Sequence, residues 1–191
     1  MKSIAIFCGS SKGNQFIYTE KTKALGAFLA ERGIEVIYGA GNVGLMGVVA
    51  DAALENGGKV LGSIPHFLKE MEVCHTGLTE IFVVDSMHER KQIMAERADG
   101  FLILPGGFGT LDEFFEILTW KQLHLHQKPI GLLNWNGYYD HLLAHFEKMI
   151  EEGFLKPVNM ELLVVASEAE ELLEKMKDAP ESGSPKWIGR T

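Results

Sequence analysis

Short unbroken apolar runs alternate with helical patterns along the chain, and this alternation limits the possible folds more than any other feature. SIAIF, from Ser3 to Phe7, reads as a strand that ends at Cys8-Gly9-Ser10. YTEKTKALGAFLAERG then sets Ala24, Leu25, Phe28 and Leu29 on one helical face, with Gly33 as a stop. IEVIYG is a second strand, and GLMGVVADAALENGG a second helix ended by Gly57-Gly58. KVLGSIP and EIFVV read as strands three and four, followed by the helix MHERKQIMAERADG and the strand FLIL. PIGLL and LLVVA are the last strands, with GYYDHLLAHFEKMIEEG and SEAEELLEKMK as their helices. Ser167 and Glu170 form an S-x-x-E capping box for the last of these. Strands without polar alternation are buried on both faces, and strand–helix alternation gives a parallel sheet covered by helices. The expected fold is therefore α/β, a single-domain Rossmann-like doubly wound parallel sheet flanked by helices over residues 1–178. A flexible tail is expected at 179–191, where only Trp187 and Ile188 offer docking groups.

A length of 191 residues suits one domain. The formal net charge of −8 argues against a general nucleic-acid binder. Cys8 and Cys74 are far apart and in no metal-type spacing, so they read as free thiols of a reducing compartment. The first apolar run is too short for a signal peptide, and no run has the length of a membrane span. The expected location is the cytoplasm, without membrane contact.

Ligands of such sheets bind beyond the carboxyl ends of the strands, and two glycine-rich turns lie there. The first, GAGNVG from Gly39 to Gly44, matches G-x-G-x-x-G. A dinucleotide site also needs an acid after the next strand, which instead ends LGSIP, so an NAD-dependent oxidoreductase is disfavoured. A tight turn packing the Leu45 helix on the sheet accounts for Gly39 and Gly47, and Gly41 and Gly44 remain candidates for a phosphate or ribose. The second turn, PGGFGT from Pro105 to Thr110, lacks the Gly-Lys-Ser/Thr of a Walker loop. Backbone N–H groups at a helix start nevertheless bind anions without a lysine. Thr110 and Glu113 also fit a capping box, T-x-x-E. Asp112 and Glu113 beside an anion seat need cations, and MHERK supplies Arg90 and Lys91 at the start of the helix leading into that strand.

The segments CGSS, YGAGNVGLMG, SMHERK and LPGGFGTLDE resemble, in this order, the LONELY GUY (LOG) family of cytokinin riboside 5′-monophosphate phosphoribohydrolases. The likeness runs from about Ile4 to EEGF and so covers most of the chain. Many members carry the older label lysine decarboxylase, but no lysine here sits in a recognisable pyridoxal phosphate site. The resemblance implies hydrolysis of the N-glycosidic bond of purine nucleoside 5′-monophosphates, with or without an N6 prenyl group, to free base and ribose 5-phosphate. It implies Arg90 and Glu113 as catalytic residues. It implies substrate contacts from Gly106, Gly107, Phe108, Gly109 and Thr110 of the glycine turn. Met87, Lys91, Asp112, Glu116 and Thr119 are further pocket candidates, with Gly9, Ser10 and Gly41 from the earlier turns. No metal or cofactor is required. Glycosidic cleavage builds oxocarbenium-like charge on the ribose, so a carboxylate such as Glu113 stabilises it or directs a water. Arg90 serves the leaving purine or holds ribose and phosphate. The sequence departs from plant-like members at Cys74, His75 and Thr76, where they carry an acid, and at Asp112, where many have Glu.

His141 and His145 are spaced i, i+4 without a third ligand, and read as surface or packing residues. His124 and His126 suit the dipole of a helix end. Cys8 has no base partner in view and reads as a packing residue. The helix LDEFFEILTWKQL is apolar on more than one face, which a homodimer contact would cover. The alternative function is a nucleotide or molybdenum-cofactor carrier of the same fold without hydrolase activity.

Overall fold

The computed structural model describes residues 1–71 and 74–179. The proposed tail, with Trp187 and Ile188, lies outside the described residues from position 180 onward. The strands are β1 (Ser3–Phe7), β2 (Glu35–Tyr38), β3 (Val60–Pro65), β4 (Glu80–Val84), β5 (Gly100–Ile103), β6 (Ile130–Leu133) and β7 (Val164–Ala166). The helices are α1 (Phe16–Glu31), α2 (Gly44–Glu55), α3 (His66–Met71), α4 (Met87–Arg97), α5 (Phe108–Gln122), α6 (Asp140–Glu151) and α7 (Ala169–Lys177). Two 3-10 turns cover Trp135–Gly137 and Pro157–Leu162. All seven strands pair in parallel in the order β4-β3-β2-β1-β5-β6-β7.

The unbroken apolar strands have the physical cause expected of them. Side chains alternate across a sheet, so a strand buried on both faces is apolar at every position. Ile4 and Ile6 of β1 join one core with Leu25 and Leu29 of α1, Val49 and Ala53 of α2, and Leu172 and Met176 of α7. Ala5 and Phe7 point the other way, into a core with Met94 of α4, Phe114 and Ile117 of α5, and Phe146 of α6. Lys121 anchors α5 from within: its buried ammonium donates to the Leu162 carbonyl at 3.1 Å, and burial holds its pKa below the usual lysine range.

Two local expectations are corrected, and one helix is additional. Ala24 is exposed, and α1 buries Thr22, Leu25, Gly26 and Leu29 instead. The Ser167–Glu170 capping box does not form, because α7 begins at Ala169 after Glu168, and no side chain caps it. Glu170 and Glu168 are drawn to α1 instead, pairing with Arg32 at 2.7 Å and Lys21 at 2.6 Å. The helix α3 was not anticipated.

β1 is the switch point of the sheet. The chain winds outward from it through β2, β3 and β4, then returns to place β5 on its other side. A crevice opens between two strands whose connections leave in opposite directions, and this is where open α/β sheets bind ligands. The loops after β1 and β5 meet there, with Gly9 N–H donating to the Pro105 carbonyl at 3.0 Å.

Phe101 lies at the centre of this architecture, fully buried between Phe7 (centroids 6.1 Å) and His126 (5.3 Å). Phe101→Ala is expected to cost about 3–5 kcal/mol in urea unfolding with an unchanged slope. A loss below about 1 kcal/mol would contradict the two-faced core.

Candidate active site at the carboxyl ends of the strands

The glycine turn after β5 delivers the start of a helix to the crevice. α5 begins at Phe108, directly after Gly107, and no side chain caps it. The capping box expected of Thr110 and Glu113 is therefore not formed. The helix starts earlier than that motif requires, and Thr110 is already inside it, buried. Thr110 instead packs on the turn. A Cβ on Gly106 would collide with its Oγ1 and come within 2.7 Å of its Cβ, so Gly106 has to be bare. An uncapped helix start presents N–H groups and the positive end of the helix dipole, which suit an anion. Gly107 and Gly109 border open space, and Phe108 is 94% exposed.

A cleft of about 260 Å³ lies in front of this turn, lined by Gly9, Ser10, Lys12, Gly106 and Gly107 among others. Tyr18 and Tyr138 form an aromatic wall, edge to face with centroids 5.8 Å apart. The Tyr138 hydroxyl donates to the Gly106 carbonyl at 2.7 Å, and the Tyr139 hydroxyl donates to the Leu104 carbonyl at 2.6 Å. These tyrosines and Lys12 were missed from sequence. For Tyr138 and Tyr139 the available signal was position: GYYD follows β6, at the same carboxyl end of the sheet as the glycine turn.

The cations and acids meet beside the turn. Ser86 Oγ accepts from Glu89 N–H at 3.1 Å, and Glu89 reaches back to Asp85 N–H at 2.9 Å. This S-x-x-E cap, visible in the sequence, fixes where α4 starts. Arg90 then points to the sheet and Lys91 to α5. Arg90 and Glu113 are each only 8% exposed, with Arg90 Nη2 3.5 Å from Glu113 Oε1. Arg90 Nη1 also approaches Met87 Sδ at 3.7 Å, and its guanidinium lies over Gly39 at the end of β2. Lys91 Nζ bridges Asp112 Oδ2 at 3.1 Å and Glu116 Oε2 at 2.8 Å. Burial alone would lower the Lys91 pKa, but the Glu116 and Asp112 carboxylates outweigh it and hold it above the ordinary value.

The crowding of acids is thus resolved by division. Lys91 takes up Asp112 and Glu116, and Glu113 is buried with Arg90. Burial pushes the Glu113 pKa up, Arg90 pulls it back, Asp112 and Glu116 raise it and Lys91 lowers it, leaving it at about 7. A carboxyl poised there accepts or releases a proton near neutrality. Cys8 is buried nearby, and burial, then the Glu113 charge, push its thiol far above the usual range. It therefore stays protonated, as a packing residue does.

The remaining candidates divide. Gly9, Ser10, Gly106 and Gly107 line the cleft. Asp112, Glu116 and Thr119 share one ridge of α5, with Asp112 and Thr119 exposed. Gly41 is not in the cleft: it is buried and bridged to Cys74, while His75 N–H donates to the Ala40 carbonyl at 3.0 Å. Gly44 packs on the backbone of Ser10 and Ser11. Gly39 serves Arg90 rather than a helix-packing turn. His141 and His145 are exposed on α6. Burial lowers the pKa of His126, whose Nε2 donates to the Ile117 carbonyl at 2.9 Å, so it is neutral near pH 7 and gives the helix end no charge.

Comparison with known proteins identifies the family. Residues 46–176 match the family described as possible lysine decarboxylase. The probable cytokinin riboside 5′-monophosphate phosphoribohydrolase LOGL1 of Oryza sativa subsp. japonica is 48% identical, over 91% of this chain and 78% of its own. The cytokinin riboside 5′-monophosphate phosphoribohydrolase LOG1 of Arabidopsis thaliana is 44% identical, over 93% and 83%. Two solved structures share the fold at low identity. The molybdenum cofactor binding protein of Rippkaea orientalis has a TM-score of 0.69 at 21% identity, covering 92% of this chain and 95% of that one. The molybdenum cofactor carrier protein of Chlamydomonas reinhardtii has a TM-score of 0.67 at 19% identity, covering 93% and 96%. With relatives this similar along nearly its whole length, the chain belongs to the LOG family.

Proposed function

We propose that this protein hydrolyses the N-glycosidic bond of purine nucleoside 5′-monophosphates, N6-prenylated ones included, releasing the free base and ribose 5-phosphate. The observation that carries the reading is the buried Arg90–Glu113 pair on α4 and α5, next to the cleft that borders the uncapped start of α5, although neither side chain lines that cleft. The names of the relatives support the same chemistry. The 5′-phosphate sits at the start of α5, against Gly106, Gly107, Phe108 and Gly109, with Gly9 and Ser10 opposite. Thr110 shapes this seat by packing on Gly106. As the glycosidic bond breaks, its electron pair leaves with the purine and positive charge builds on the ribose. Glu113 faces that charge and takes a proton from the water whose oxygen bonds to the anomeric carbon. Arg90 offers N–H groups to the leaving purine or the ribose. Lys91 keeps Asp112 and Glu116 from adding two open charges, and the Met87 sulfur lies against the Arg90 guanidinium.

Residues 1–178 act as one LOG-type domain, a reading supported by a single sheet that draws strands from residues 3 to 166. Phe115, Leu123 and Leu125, exposed along and beyond α5, support a homodimer. Free Cys8 and Cys74 fit a cytoplasmic setting. Among the described residues no helix is long and apolar enough to cross a membrane.

Chromatography of mixtures with AMP and with isopentenyladenosine monophosphate tests the reaction. Free adenine or isopentenyladenine is expected, and Glu113→Gln is expected to lower its release at least about 100-fold while nucleotide still binds. Nucleotide binding with no base released by the unaltered protein would favour a carrier instead. The pH profile is a second check. The ionised Glu113 is the active form and its pKa is about 7, so kcat/KM is expected to rise with pH through that value. A limb near an ordinary carboxylate pKa, about 4.3, would contradict this role.

A further inference from the structure

We propose that Gly39 is a positioning residue, whose missing side chain seats the Arg90 guanidinium against Glu113. This rests on the hydrolase reading and deepens it. Ile37 of β2 points into the core under α4 and α5, so position 39, two residues on, faces the same side. A Cβ there would collide with Arg90 Nη2, and would lie 2.8 Å from Cζ and 3.3 Å from Nε. Backbone freedom is not the reason for glycine, since Gly39 is absent from the positive-φ residues. What the site requires is space under one flat cation.

That space matters because little else holds the guanidinium. Among the described residues, its Nε is buried without a partner. Its polar contacts among the described residues are Glu113 at 3.5 Å and the Met87 sulfur at 3.7 Å. A cation held by so few directed bonds takes its place from the wall beneath it, and Gly39 is that wall. Arg90 is the strongest influence lowering the Glu113 pKa, so displacing it has a consequence that a general loss of packing would not produce.

Gly39→Ala keeps an allowed backbone and displaces only the end of a long side chain, so folding is retained. The expected result is a kcat at least about tenfold lower, KM changed less than about threefold, and the acid limb moved to higher pH. In an Arg90→Lys background, where no planar group lies over position 39, the same substitution is expected to change kcat less than about twofold. An unshifted limb with unchanged kcat would overturn the proposal, as would an equal loss in both backgrounds. If the unaltered protein releases no base from these nucleotides, the hydrolase reading fails by itself. The positioning claim is then read from a carbon-13 carboxyl titration of Glu113. An upward shift in Gly39→Ala supports it, and an unchanged midpoint overturns it.

Discussion

The site depends on two adjacent cations at the start of one helix facing three carboxylates at the start of another. Arg90 and Lys91 are neighbours in sequence, yet a helix turns consecutive side chains about 100° apart. One therefore lies over the carboxyl end of β2 and the other reaches along α5. Lys91 gathers Asp112 and Glu116, and Arg90 is left with Glu113. Without this division the acids would repel any anion drawn to the uncapped start of α5. Burial then sets the character of the remaining carboxylate. It outweighs the nearby cations and leaves Glu113 near neutrality, suited to exchanging a proton.

The fold brings these groups together by topology. The two elements that carry the charges flank β5, and β5 lies beside β1 at the switch point. Tyr138 and Tyr139 brace the turn after β5 from the far side through the Gly106 and Leu104 carbonyls. The turn at the start of α5 is therefore braced from several strand ends, a support that preorganises whatever binds there.

Much of this was legible in the chain. Apolar runs such as FLIL marked strands buried on both faces, because such burial leaves no polar alternation to confuse the pattern. LPGGFGTLDE and SMHERK marked the two segments that the structure brings together, because each keeps its charges within a few residues. Local patterns failed where tertiary contacts decided. Ser167 and Glu170 matched a capping box, but ion pairs with α1 took the acids. Thr110 and Glu113 matched another, but the helix begins at Phe108 and buries both. Gly39 was read as part of a turn, since its real neighbour, Arg90, is far along the chain. Tyr138 carried only the signal of its position after β6; the contact of its hydroxyl with Gly106 depends on the packing of distant segments.

The most direct test of the account is a crystal structure of Glu113→Gln with AMP bound. The account predicts the phosphate against the amides of Gly106–Gly109 and the ribose anomeric carbon about 3–4 Å from the side chain at position 113. A phosphate bound away from the start of α5, or a ribose turned from position 113, would contradict it.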